Sequence, residues 1–328
     1  MIMKNFITTA TPMRISLVGG GSDLKNFYQK NGGGAVISAA INKYVYIIIN
    51  KYHDKNKCLL KYSKTELVNE LKDIKHPLIR SCLNKIKLWG LDINAVSDIP
   101  AGTGLGSSSS FTVGLINALR HYKKMPLNKT SLAEYACSAE IDFLKLPIGK
   151  QDQYAASFGG LNLIKFNTNG STNVQQIKKK GMTNFLRKNL LIINTGVRKN
   201  NKIILEDQIK NIKNDKMAIE HLKFMRDSVY EFKSALLKYD INKCGEILHE
   251  NWIRKKSLAK GISNNSIDEM YSDSLKYGAL GGKILGAGGR GYLMLICDRS
   301  SQKKVVKKFK KFEILDFTFD DLGSRKLY

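Results

Sequence analysis

The chain has 328 residues, 43% of them hydrophobic, with 54 Lys and Arg against 28 Asp and Glu for a formal net charge of +26. That length predicts two lobes rather than one small domain, and the apolar content is enough for real cores, yet no apolar run reaches membrane-spanning length. The charge invites a nucleic-acid reading, but the lysines are dispersed and no familiar RNA- or DNA-binding motif occurs, which leaves a solvated surface or attraction of small anions.

Taken in chain order, the first element is a strand predicted over 13–18, ending in Gly19-Gly20-Gly21-Ser22-Asp23. It puts a cation, Arg14, and a carboxylate, Asp23, at opposite ends of one element. Arg14 is able to steady a transferring phosphoryl group and Asp23 to accept hydrogen bonds from a polyol, unless the pair is only a strand–turn with a surface ion pair. Further strands are predicted over 35–40, 44–50 and 91–97. Gly102, Gly104 and Gly106 then recur at alternate positions and free a loop of Cβ atoms, so backbone N–H groups can approach an anion. Ser107 to Ser110 and an apolar run follow, reading as a serine-capped helix N-terminus able to hold phosphate; a flexible loop with an N-cap is the plainer alternative. Next come a helix through 132–143 carrying Glu140, a Pro147/Gly149 break, and an element carrying Asp152. Two carboxylates on flanking elements can meet, one holding a divalent cation and one near an acceptor hydroxyl.

From about 190 the character changes to a strand at 190–193 and long charged helices. Leu222, Met225, Val229, Phe232 and Leu236 mark one buried helical face. A helix over 243–260 is expected to stop at Gly261 as a C-cap. Strands are predicted at 292–296 and 312–319, and the lobes at 1–185 and 186–328. Gly286, Gly288 and Gly291 formally match GxGxxG, but a strand rather than a helix follows them, which excludes a dinucleotide fold. No G-x-x-x-x-G-K-[ST] loop occurs, and neither HRD nor DFG. The five cysteines are widely spaced with no CxxC pair, and the first residues lack a secretory pattern; together they predict a reduced, cytoplasmic protein. The histidines show no metal-ligand spacing.

The order of these pieces resembles the GHMP kinases (galacto-, homoserine, mevalonate and phosphomevalonate kinases). The resemblance rests on a P-x-x-x-G-L-G-S-S loop from Pro100 to Ser108, an N-terminal Arg14-to-Asp23 motif, an A-E-x-x-F…P-x-G-x-x-D-Q segment from Ala139 to Gln153, and the late glycine loop. Within the family the chain is most similar to the branch acting on heptose 7-phosphates, on segments 62–66, 76–80, 150–154, 249–252 and 281–289. Arg290 departs from the pattern, standing where a small residue is usual. The resemblance implies an α+β fold of two lobes, the first like ribosomal protein S5 domain 2 and the second ferredoxin-like. It implies transfer of the γ-phosphoryl of ATP to the anomeric hydroxyl, giving a 1,7-bisphosphate for nucleotide-activated heptose and surface-polysaccharide synthesis. The matching positions are Gly102, Gly104, Leu105, Gly106, Ser107, Ser108 and Ser109 around the triphosphate, with Ser108 and Glu140 on Mg2+. Asp152 and Arg14 are the catalytic pair, and Asp23, with Gly20, Gly21 and Ser22, holds the sugar. Arg198 and Lys283 are candidates for the acceptor's own phosphate, with a surface charge as the alternative for both, and Gly288 is a further candidate for binding the substrate. The expected partners are ATP and a sugar phosphate, with no nucleic acid or membrane, in a monomer or homodimer. A galactokinase- or fucokinase-like kinase and, from another class, a basic RNA-binding protein stay open.

Overall fold

The computed structural model describes residues 6–197 and 202–328. Two long strands, β1 (Ile7–Val18) and β2 (Gly34–Lys51), pair antiparallel and form the spine of the first sheet. The register slips between Pro12 and Met13, which face Tyr44 and Ile41, leaving Asn42 and Lys43 bulged. Pro12 has no N–H for the ladder, so the bulge falls where a bond is missing anyway. The Asn42 backbone N–H donates to the Thr318 carbonyl at 2.9 Å, and its Oδ1 accepts from the Thr318 N–H at 2.6 Å. The two strands expected at 35–40 and 44–50 are therefore one bulged strand, whose polar interruption is satisfied by the distant tail.

β5 (Leu91–Ser97) pairs with the second half of β2, and β3 (Cys58–Lys61) and β4 (Thr65–Val68) extend the sheet beyond it. On the first half of β2 lie β6 (Leu161–Phe166) and β7 (Thr172–Gln176), and β11 (Arg325–Lys326) closes the far edge on β1. Four helices belong to this lobe besides the short α1 (Lys25–Tyr28): α2 (Pro77–Ile86), α3 (Ser107–Tyr122), α4 (Lys129–Cys137) and α5 (Gln151–Phe158). α3 and α5 pack on β1 and β2, which places the start of both helices beside Arg14.

After α6 (Met182–Asn189) comes a second, antiparallel sheet ordered β8 (Leu190–Asn194), β10 (Tyr292–Ile296), β9 (Gly281–Ile284). It packs with α7 (Lys202–Asn214), α8 (Lys216–Lys238), α9 (Ile241–Lys256), α10 (Asn265–Lys276) and α11 (Arg299–Lys308). The five-residue stripe on α8 is buried, as its spacing requires. α9 stops at Ser257, earlier than expected, and Gly261, with φ +82°, turns the chain four residues later. The strand expected at 312–319 is an extended crossing with one bridge at each end, Ile314 to Ile193 and Phe319 to Ile41. It passes from one sheet to the other, so no neighbour runs beside it long enough to form a ladder. Among the described residues no helix is long and apolar enough to cross a membrane, and all five cysteines are buried free thiols.

Candidate active site

A cleft between the lobes is lined by β1 and its glycine turn, the 102–109 loop, the segment 146–152, and from the second lobe α7, α9 and the loop after β9. Its centre is an ion pair. Arg14 Nε donates to Asp152 Oδ1 at 2.8 Å, Nη2 to Oδ2 at 2.7 Å, and Nη1 to the Gly104 carbonyl at 2.6 Å. Such a two-pronged pairing fixes the carboxylate in orientation as well as position. The third bond ties the pair to the glycine loop, and the Arg14 N–H reinforces it by donating to the Leu105 carbonyl at 2.9 Å. A Cβ on Gly106 would lie 3.3 Å from both Arg14 Cγ and Asp152 Oδ2, and the residue sits at φ +77°. Glycine there lets the loop close on the pair.

Gly106, not a serine, occupies the N-cap of α3, and no side chain caps that helix. The first helical bond runs from the Ser110 N–H to the Gly106 carbonyl, so the N–H groups of Ser107, Ser108 and Ser109 precede it at the positive end of the helix. These three serines line the cleft. Ser110 points away and donates to the Pro12 carbonyl at 2.9 Å.

Glu140 lies beneath the cleft floor at 0% exposure, on a π-helical turn, Ser138–Phe143, that extends α4. Thr112 Oγ1 donates to one of its oxygens at 3.0 Å and Gln153 Nε2 to the other at 2.5 Å. Among the described residues no cationic side chain pairs with it. Burial pushes its pKa up to about 7, the hydrogen bonds of Gln153, Ser109 and Thr112 pull it down, and the Asp152 charge adds to the rise. The Gln153 Oε1 beside it is buried and, among the described residues, has no partner. An uncompensated carboxylate, an orphaned amide oxygen and serine hydroxyls are the oxygen donors that a small hard cation takes.

Asp23, 3% exposed, accepts from the Gly21 N–H at 3.0 Å, from the Gln151 N–H at 3.2 Å and from Gln151 Nε2 at 3.3 Å. Burial raises its pKa, the Asp152 charge raises it further, and the backbone donors oppose both. A Cβ on Gly149 would run into the Asp23 carboxylate, so position 149 must be glycine for this contact to exist. Ser16 Oγ and Gln151 Oε1 line the same end of the cleft, buried and, among the described residues, without protein partners.

The GHMP kinases N terminal domain model matches residues 74–160, and the GHMP kinases C terminal model matches residues 232–314. The chain belongs to the GHMP kinases. It is 29% identical over 334 residues to a D-glycero-alpha-D-manno-heptose 7-phosphate kinase of Campylobacter jejuni, covering 97% of each chain. It is 26% identical to a galactokinase of Pyrococcus furiosus, covering 91% of each. A solved D-glycero-D-manno-heptose 1-phosphate kinase from Bacteroides thetaiotaomicron superposes with a TM-score of 0.81 at 25% identity, over 98% of this chain and 99% of that one. As a member of this family the protein is an ATP-dependent phosphotransferase, with the family's α+β fold of two lobes.

In this GHMP kinase the expected residues Arg14, Gly20, Gly21, Asp23, Gly102, Gly104, Gly106, Ser107, Ser108, Ser109, Asp152 and Lys283 come together around one cleft, with Glu140 under it. Three others are turned away. The Ser22 hydroxyl is spent on backbone, its one proton shared between the Gly19 and Ala35 carbonyls at 2.8 and 2.9 Å and its oxygen accepting from the Ala35 N–H at 3.1 Å. The Leu105 side chain is in the core, leaving only its backbone near the site. Gly288 is glycine because a Cβ would meet the Ile262 carbonyl at 2.5 Å, and it does not line the cleft. Arg198 lies outside the described residues. Arg290 is exposed, beside Gly196, and not part of the cleft lining. Of the loop hydroxyls, that of Ser109 acts on Glu140, while Ser108 is exposed at the mouth. The residues that sequence reasoning missed are Gln151, Ser16, Gln208 and Lys255. Lys255 had a signal: with Cys244, Leu248, Asn251 and Trp252 it falls on the buried stripe of α9.

Proposed function

We propose that this kinase transfers the γ-phosphoryl group of ATP to the anomeric hydroxyl of D-glycero-D-manno-heptose 7-phosphate. The observation that carries the reading is the Arg14–Asp152 pair, held by the glycine loop on one side and flanked by Asp23 on the other. The 29% likeness along the whole chain to the Campylobacter jejuni enzyme supports the choice of acceptor.

The triphosphate lies along the Gly102–Gly106 loop, against the N–H groups that open α3. Asp23, Ser16 and Gln151 take the sugar hydroxyls. Two of these three groups have a buried oxygen left for a ligand, Ser16 Oγ and Gln151 Oε1. The anomeric oxygen forms a bond to the γ-phosphorus, and the bond from that phosphorus to the bridging oxygen breaks with its electron pair on ADP. Asp152 takes the hydroxyl proton. Arg14 keeps both carboxylate oxygens oriented while this happens, so the chemistry needs positioning more than a covalent intermediate. Glu140, with Ser108 and Ser109 at the start of α3, would hold Mg2+. Bound there, the metal would supply neutralisation of the β- and γ-phosphate charge.

The test is ATP consumption by the full chain with heptose 7-phosphate, heptose 1-phosphate, galactose and fucose, the product being located by phosphorus NMR. Turnover with heptose 7-phosphate to an anomeric phosphate is expected. Turnover with free hexoses alone, or with the 1-phosphate alone, would overturn the acceptor.

A further inference from the structure

The cation that meets the transferring phosphoryl group need not be Arg14. Its guanidinium is bound at 2.7 and 2.8 Å to both oxygens of Asp152 and at 2.6 Å to the Gly104 carbonyl. A positive charge matched so closely by a carboxylate has little net field left for a third group. Lys255, on α9, donates to the Ile284 carbonyl at 3.1 Å and the Gly286 carbonyl at 2.6 Å, holding the second lobe's glycine loop against the cleft.

Lys283 is different. It lies on β9, opposite Met294, between Gly282, where a Cβ would run into the Met294 carbonyl, and Ile284 of the core. Strand alternation puts it on the face of Gly281, which packs against the backbone of α9 at Gly245. It is 3% exposed and lines the cleft, and among the described residues no hydrogen bond or ion pair is made by its ammonium. It lines the cleft together with Arg14 and Asp23 of the first lobe and Lys255 of the second, and their charges act on it. An ammonium buried among like charges is costly unless an anion completes it.

We propose that Lys283 is a catalytic residue that donates an N–H to an equatorial oxygen of the phosphoryl group as it passes from ATP to the acceptor. The role rests on the phosphoryl-transfer reading above. Lys283 stays protonated through the step. The bond that forms and the bond that breaks are those already described, and the proton goes to Asp152. What Lys283 supplies is charge where charge builds in the transition state, from the opposite lobe to the glycine loop. Burial, followed by the charges of Lys255 and Arg14, holds its pKa well below the usual lysine range in the absence of ligand. A phosphate dianion reverses that shift on binding.

The experiment compares the wild type with Lys283→Met and Lys283→Arg in the full chain, using heptose 7-phosphate and the same heptose without its phosphate. For Lys283→Met a fall in kcat of roughly 10²–10³-fold on both acceptors is expected, with the Kd for ATP little changed and partial recovery in Lys283→Arg. A second measurement does not depend on turnover: binding of ADP with aluminium fluoride, a mimic of the phosphoryl group in flight, should weaken in Lys283→Met while binding of ADP alone does not. A rise in KM confined to the phosphorylated acceptor, with kcat intact, would give Lys283 to the acceptor's own phosphate and overturn the assignment. Unchanged binding of the aluminium fluoride complex would overturn it as well. Wild-type inactivity on every sugar, with the binding difference intact, would defeat the acceptor and leave Lys283 in place.

Discussion

The two walls of the cleft are charged in opposite ways. The first lobe contributes its carboxylates, Asp23 and Asp152 in the lining and Glu140 beneath, and its one lining cation, Arg14, is already matched by Asp152. The second lobe contributes two buried lysines, Lys255 and Lys283, and, among the described residues, no carboxylate to the lining. The first wall is thus assembled before a ligand arrives, its groups oriented by one another. The second is a basic surface built on β9 and α9, with Lys255 tied to the Ile284 and Gly286 carbonyls. Opposite charge draws the two walls toward each other across the gap, and the basic wall is the one suited to an anion.

The strongest way to break that comparison is to remove charge from the assembled wall. Asp152→Asn keeps the shape but loses the proton acceptor, and turnover should fall roughly 10²–10⁴-fold while ATP titration still gives a wild-type Kd. Near-normal turnover would take Asp152 out of the chemistry and leave the first wall as scaffold only. Gly149→Ala tests the sugar end of the same wall. The added methyl displaces the Asp23 carboxylate, so KM for the acceptor should rise about tenfold or more, the equivalent of ~1.4 kcal/mol, with ATP binding unchanged. An equal loss of ATP affinity would mean that the 146–152 segment serves both substrates.

These residues differ in how visible they were before folding. The glycine loop and the start of α3 follow from local spacing, as does the buried stripe of α8, because helices and tight turns are encoded over a few residues. β2 was not legible as one strand, since Asn42 and Lys43 look like a turn until Thr318 arrives to pair with Asn42. The 312–319 crossing fails for the same reason: its hydrophobic pattern suits a strand, but its partners belong to two different sheets. Within the site, motif position told which loop would be present, and not which way each residue would face. Ser22 and Gly288 sit inside their motifs and still serve backbone packing. The pairing of Arg14 with Asp152 spans 138 residues and no periodicity connects them.

The basic wall can be sharpened by titration. Between the depressed pKa of Lys283 and the unfolded value of about 10.4, the unfolded chain binds a proton that the folded chain does not. Stability from this residue therefore rises with pH through that window and is lowest below it, where the buried ammonium is charged in both states. Lys283→Met should raise Tm by a few degrees at neutral pH, as ~1–2 kcal/mol would, with the gain shrinking as the pH climbs toward about 10.4. A gain that stays constant with pH would assign the effect to packing and not to charge.

The smallest effect separates two adjacent serines on the assembled wall. Ser109 lines the cleft and helps to hold the Glu140 carboxylate, whereas Ser110 is 1% exposed and donates to the Pro12 carbonyl on β1. Ser110→Ala removes one buried hydrogen bond and strands a carbonyl, a loss of about 1 kcal/mol that should lower Tm by ~2 °C and leave kcat and KM alone. Ser109→Ala should instead reduce kcat, because its hydroxyl bonds the Glu140 carboxylate beneath the cleft. If both variants lower kcat to the same degree, the run acts through the position of α3 as a whole, and the division of its hydroxyls between fold and chemistry is lost.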